Sequence, residues 1–171
     1  MPSKEVQRII RVDHAGEFGA INIYRAQRTV AKLLYKDIVE QLDDMLHHEK
    51  EHFDTFNSWL EQNSVRHCYA LWFWAIGGYF LGLVTALLGR KSIWVCTHAV
   101  ESTVLHHLDW QLSYLSKHDP SAYEAVLSIK QEEEAHQSLG LLNGSNSLVY
   151  SPIRLVVKYS TKFEIWLSTK L

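Results

Sequence analysis

Apolar residues recur along this chain at steps of three and four, the spacing of one face of an α-helix. Ile10, Glu17, Ile21, Tyr24 and Ala31 fall near one stripe of a first helix over about 3–35. Ile38, Leu42, Met45, Glu49, His52, Phe56 and Trp59 step by 4, 3, 4, 3, 4, 3 through a second, over 37–62, with Asp37 expected to cap its start. Trp94, His98, Glu101, Leu105, Leu108, Leu112 and Leu115 repeat the same stepping over 92–117. Val126, Ile129, Glu133 and His136 carry it through 120–142. There Asp119-Pro120 marks the start and Asn143-Gly144 the stop. Ser151-Pro152 opens a last helix over 152–171. Ile153, Val156, Val157, Phe163 and Leu167 form its apolar face, with Trp166 beside it, against Arg154, Lys158, Lys162 and Lys170. Such a basic amphipathic helix suits a membrane surface. Ordinary packing onto the other helices competes with that reading.

The stripes are apolar except where they carry Glu and His. Glu49 and His52 sit three apart, as do Glu133 and His136, so each pair occupies one helix face one turn apart. The second pair follows the first by 84 residues, and Glu101 follows Glu17 by the same 84. His14-Ala15-Gly16-Glu17 and His98-Ala99-Val100-Glu101 match in context. The chain therefore reads as a pseudo-repeat, about 3–62 and 92–142, in a single domain spanning 1–171. A stray Glu-x-x-His is ordinarily a solvated pair. Here the charged residues hold core positions, where a carboxylate is costly unless paired or bound to metal. One Glu from each of two helices and a Glu-x-x-His from each of two others is the ligand set of carboxylate bundles that hold two irons or two manganese ions. The expected fold is all-α, a ferritin-like four-helix bundle with a di-metal core. Its ligands are Glu17, Glu49, His52, Glu101, Glu133 and His136. Asp13, His14 and His98, one turn before a ligand, are candidates to orient it; a helix-start hydrogen bond is the alternative for Asp13 and His14. His47, His48 and His107 lie off the stripes and read as surface or rim.

Between the repeats, Tyr69–Gly89 holds no charged residue across 21 positions, long and apolar enough to be considered as a membrane span. A single span would put Glu17, Glu49 and His52 on one side of the bilayer and Glu101, Glu133 and His136 on the other. The site could not then assemble. The expectation is a hydrophobic interfacial helix that enters and stays on one side, or lines a groove to the metals, with Trp72, Phe73, Gly77, Phe80 and Leu81 as candidates for the groove. Arg66, His67, Arg90 and Lys91 flank it, as suits anionic headgroups. A fully buried core helix is the competing reading.

With 171 residues one domain is the prior. The net charge of −2 offers no basic surface for nucleic acid. Cys68 and Cys96 form no metal or disulfide motif and read as small buried hydrophobes. The first residues, Met1-Pro2-Ser3-Lys4-Glu5, lack a signal-peptide core.

Ile9-Ile10-Arg11-Val12-Asp13-His14-Ala15-Gly16-Glu17, Ala99-Val100-Glu101 and both Glu-x-x-His motifs resemble the 5-demethoxyubiquinone hydroxylases of ubiquinone biosynthesis. The resemblance covers nearly the whole chain. It implies a di-iron monooxygenase that adds a hydroxyl to the ring of a polyprenyl benzoquinol, using O2 and two electrons from NADH. It implies that Glu49 and Glu133 bridge the irons. It also implies peripheral attachment to membrane lipid, on the cytoplasmic face of a bacterial inner membrane or the matrix face of the mitochondrial one. A lipid-binding accessory protein and other ubiquinone-biosynthesis enzymes are the partners it implies. Ser102 and Leu108 depart from the family pattern, and Leu108 weakens any His-Tyr electron relay. No Gly-rich dinucleotide motif is present. Three rivals remain: a ferroxidase or iron-storage protein, a helical adaptor without catalysis, and a di-iron hydroxylase of another lipid or a modified nucleoside.

Overall fold

The structure, a computed structural model, describes residues 1–171. Its helices are α1 (Lys4–Leu34), α2 (Val39–Gln62), α3 (Leu71–Leu87), α4 (Arg90–Leu115), α5 (Pro120–Asn143) and α6 (Ser151–Ser168). Their starts follow local chemistry. The Ser3 hydroxyl accepts from the Val6 amide, and the Asp119 carboxylate accepts from the Ala122 amide with Pro120 in the first turn. Gly89, at φ 116°, turns the chain from α3 into α4 in a conformation that L side chains rarely adopt. Asp37 does not cap α2. A 3-10 turn over Lys36–Ile38 moves the helix start past it, and its carboxylate pairs with Arg90 instead.

The two halves are built alike. In the first, α1 packs against α2 and α3; in the second, α4 packs against α5 and α6. The bundle of α1, α2, α4 and α5 has two apolar plugs. One gathers Val6, Ile10, Phe56, Leu60, Leu108, Val126 and Ile129. The other gathers Tyr24, Val30, Leu42, Met45, Ile93 and Trp94. On α1, α2 and α4 the ligand candidates fall between residues of the first plug and residues of the second. On α5 they fall between Ile129 and Leu139. The stripes of the sequence thus become a polar layer sealed at both ends by hydrocarbon.

The apolar segment becomes α3, pressed flat on α1. A β-carbon on Gly78 would run into the carbonyl oxygen of Gly19, and one on Gly82 would lie 2.8 Å from Ile23 Cα. Only glycine lets the two backbones come this close. Buried Gln27 of α1 donates to the Thr85 hydroxyl at 3.1 Å. The opposite side of α3 is open: Trp72, Phe73, Ile76 and Phe80 are 60% to 73% exposed. It is therefore not a fully buried core helix. No helix is long and apolar enough to cross a membrane. On α6 only Val157 and Ser168 are fully buried, while Val156, Tyr159, Phe163 and Trp166 stand exposed.

Candidate metal centre

α1, α2, α4 and α5 each turn a carboxylate into the polar layer. Glu17, Glu49, Glu101 and Glu133 are all at most 5% exposed, and His52 and His136 at most 3%. Their ligand atoms fall into two compact sets, Glu17–Glu49–His52–Glu133 and Glu49–Glu101–Glu133–His136. Glu49 and Glu133 belong to both. The sets answer to the repeat: each has its own terminal Glu and His, and the Glu of each Glu-x-x-His is shared.

Both imidazoles turn Nδ1 inward. His52 Nδ1 lies 3.0 Å from a Glu133 oxygen and 3.7 Å from a Glu17 oxygen. His136 Nδ1 lies 3.2 Å from a Glu49 oxygen. Yet Glu49 Oε1, His52 Nδ1, Glu133 Oε2 and His136 Nδ1 are buried without any hydrogen-bond partner. Buried polar atoms are almost always satisfied. Four orphans converging on one layer fit a cation bound among them, and the mixed imidazole and carboxylate donors fit non-haem iron.

Electrostatics agree. Burial, with the neighbouring carboxylates adding to it, raises Glu49 and Glu101 well above the usual range; it also raises Glu17. Burial works against charge on His52 too, but Glu133 and Glu17 outweigh it and push the imidazole up to about 11. Burial opposes ionisation of Glu133 as well, yet His52 beside it brings this carboxyl below its ordinary value. Burial, helped by the charge of His52, outweighs Glu133 at His136 and lowers it to about 4. Burial and mutual repulsion thus oppose negative charge on Glu17, Glu49 and Glu101, a cost that a bound cation would offset.

Of the three residues expected to orient ligands, Asp13 borders the same cavity as Glu17; one of its oxygens accepts from Gln111 at 2.7 Å and the other is unpartnered. His14 stacks on Phe53, with ring centroids 4.2 Å apart and both nitrogens unpartnered. His98 turns towards α5, its Nδ1 3.3 Å from the Gln137 carbonyl. No hydrogen bond joins either of these two to a carboxylate. Other residues do touch the candidate ligands. The Tyr24 hydroxyl donates to Glu101 at 2.7 Å. Glu132 lies 2.7 Å from His52 Nε2, and His48 lies 3.1 Å from His136 Nε2. His48 is thus half-buried against a candidate ligand. The pattern holds a signal for this pair: each residue directly precedes the Glu of one motif.

A cavity of about 430 Å³ opens between α1, α3, α4 and α6 and reaches Glu17, Glu49, Glu101 and Glu133. Phe73, Gly77, Phe80 and Leu81 line it. Trp72 does not. One residue of helix turns it about 100° away from Phe73, and its ring meets Phe18 edge-on while remaining 73% exposed. His107 lines the wall, and burial lowers its pKa. Glu164 of α6 lines it too, its carboxyl pushed up to about 8 by burial.

The family model described as "Ubiquinone biosynthesis protein COQ7" matches residues 4–168. The chain belongs to this family. The COQ7 relatives include a Bos taurus protein named NADPH-dependent 3-demethoxyubiquinone 3-hydroxylase, mitochondrial. It is 36% identical over 171 residues, covering 97% of this chain and 78% of the relative. A Rhodospirillum rubrum 3-demethoxyubiquinol 3-hydroxylase is 30% identical, covering 99% of this chain and 80% of the relative. The Saccharomyces cerevisiae 5-demethoxyubiquinone hydroxylase, mitochondrial, is 34% identical over 65% of this chain.

Proposed function

We propose that this chain is the di-iron monooxygenase that hydroxylates the ring of a demethoxyubiquinol with a polyprenyl tail, in ubiquinone biosynthesis. The observation that carries the reading is the cavity that runs from the apolar faces of α3 and α6 to four buried carboxylates. Family membership and the hydroxylase names of the relatives support it.

Glu17, Glu49 and His52 would hold one iron, and Glu101, Glu133 and His136 the other, with Glu49 and Glu133 shared between them. When bound, the irons supply O2 activation: one oxygen atom goes to the ring and the other leaves as water, at the expense of two electrons and two protons. The chain does the rest. The wall of Phe73, Leu81, Val84, Val100 and Val104 receives hydrocarbon and keeps water from the reacting ring. Asp13 and Glu164 stand in the same wall, where a carboxyl can hydrogen-bond to an oxygen of the ring. Exposed aromatic side chains of α3 and α6 flank the cavity and suit a membrane interface. The protein would then lie peripherally on the cytoplasmic face of a bacterial inner membrane, or on the matrix face of the mitochondrial one. A quinol could enter from there without its tail leaving lipid. The electrons would come from a reduced nicotinamide nucleotide: NADH by resemblance, NADPH by the name of the Bos taurus relative.

The test is the quinone profile of cells lacking the protein, with wild type or Glu133→Ala added back. The expected result is accumulation of a quinone short of one methoxy group, cleared by wild type and not by the variant. A normal profile in the absence of the protein would sink the quinol assignment.

A further inference from the structure

Behind each of the two inward-turned imidazoles stands a residue from the opposite half of the chain. Glu132, which precedes Glu133 on α5, reaches His52 of α2: its Oε2 lies 2.7 Å from Nε2. His48, which precedes Glu49 on α2, reaches His136 of α5: its Nδ1 lies 3.1 Å from Nε2, and the rings stack at 16°. The positions are equivalent in the repeat, but the residues are not. One is a carboxylate side chain, the other an imidazole.

This difference has a chemical consequence. With Nδ1 given to a metal, the remaining proton of each imidazole sits on Nε2. A carboxylate accepting that proton draws it outward and leaves more electron density on the ring, so Nδ1 becomes a stronger donor. An imidazole acceptor pulls far less; it also fixes His48 with its own proton on Nε2. A second contact points the same way. The Tyr24 hydroxyl donates to Glu101 at 2.7 Å, withdrawing negative charge from the terminal carboxylate on the His136 side. No hydrogen bond to Glu17 answers it on the His52 side.

Granted the metal reading above, we infer that the two metal positions are unequal: Glu132, as a positioning residue, makes the position of His52 and Glu17 bind iron more tightly than that of His136 and Glu101. The first iron to enter therefore occupies the His52 side, and the second is the more easily lost. The Glu132 side chain is 42% exposed, so solvent weakens its pull. The expected effect lies at the lower end of the range for residues that back a metal-bound His, about tenfold in affinity.

The experiment is an anaerobic titration of the full-length, metal-stripped chain with ⁵⁷Fe2+, read as bound iron and as Mössbauer spectra at one and two equivalents. Wild type should fill in two steps, one quadrupole doublet dominating at one equivalent. Glu132→Gln should weaken the tighter step about tenfold and mix the doublets at one equivalent. His48→Glu should tighten the weaker step and narrow the gap between the two. Melting curves of the stripped variants tell a fold defect from a change in binding, and His48→Glu tests the inference even if Glu132→Gln folds poorly. Two iron sites of unequal affinity that neither substitution alters would overturn the inference and leave the hydroxylase reading intact. Two equal steps in wild type would do the same. A wild-type chain that binds no iron would overturn both.

Discussion

Gly82 of α3 sits so close to Ile23 of α1 that a β-carbon on it would lie 2.8 Å from Ile23 Cα. Both partners are backbone, so neither can move aside as a side chain would. Gly82→Ala should therefore cost about 1–3 kcal/mol, the range for overpacked interiors, read as a lower urea midpoint. Gly77, on the same helix with nothing within 4 Å of its β-carbon position, is the control. Gly77→Ala should be neutral or stabilising by up to ~1 kcal/mol, from helix propensity.

The same open space makes Gly77 a place to obstruct the cavity it lines. Gly77→Leu should raise KM for a long-tailed quinol by about tenfold, the loss of apolar contact for roughly two methylenes of the tail. Turnover of a tail-less analogue and iron content should stay near wild type. Equal losses on both substrates would place the tail elsewhere.

Glu49 and Glu133 belong to both ligand sets, whereas Glu17 and Glu101 belong to one each. Removing a shared carboxylate should strip the centre; removing a terminal one should leave about one iron per chain, as a two-metal carboxylate bundle requires. Metal analysis of Glu49→Ala, Glu133→Ala, Glu17→Ala and Glu101→Ala decides it. Similar iron contents in all four would argue against sharing.

Glu164 governs a pH effect. Burial pushes its carboxyl from 4.5 to about 8 in the folded chain, while the Ser168 hydroxyl donates to it at 3.0 Å. Between those values the folded state holds a proton that the unfolded state has lost, so stability falls as pH rises. Its contribution is fully present below about 4.5 and gone above about 8. Glu164→Gln keeps an acceptor for Ser168 and removes the titration. Between pH 5 and 8 wild type should lose roughly 2–4 kcal/mol more than the variant, read from urea melts at matched iron content. Parallel losses would mean that Glu164 ionises freely in the fold.

The bundle and its buried layer of Glu and His were legible because both obey the helix period. A residue at a core position shows itself by spacing alone, and a Glu or His there stands out. The 84-residue echo then paired the positions. What stayed hidden depends on contacts that spacing does not encode. Glu132 and His48 lie one residue off the stripe and reach only the far edge of an imidazole across the bundle. His107 of α4 and Glu164 of α6 owe their place in the cavity wall to the packing of α6 over α1 and α4, which the period of neither helix encodes. Trp72 and Phe73 are neighbours in an unbroken apolar run, so composition could not say which of them faces the cavity. Asp37 has the right chemistry for a cap, but a 3-10 turn intervenes.

The glycine contact between α1 and α3 has a mechanical side. Gly78 meets α1 at Gly19, two residues from Glu17. At Gly78 and Gly82 no side chain stands between the backbones to act as a cushion, so the two helices are held there as one unit. Its outer edge carries the exposed aromatic side chains and its inner edge carries a carboxylate of the centre. The spacing of α3 from α1 therefore has little slack next to Glu17, and the apolar helix and the carboxylate are held in one fixed relation.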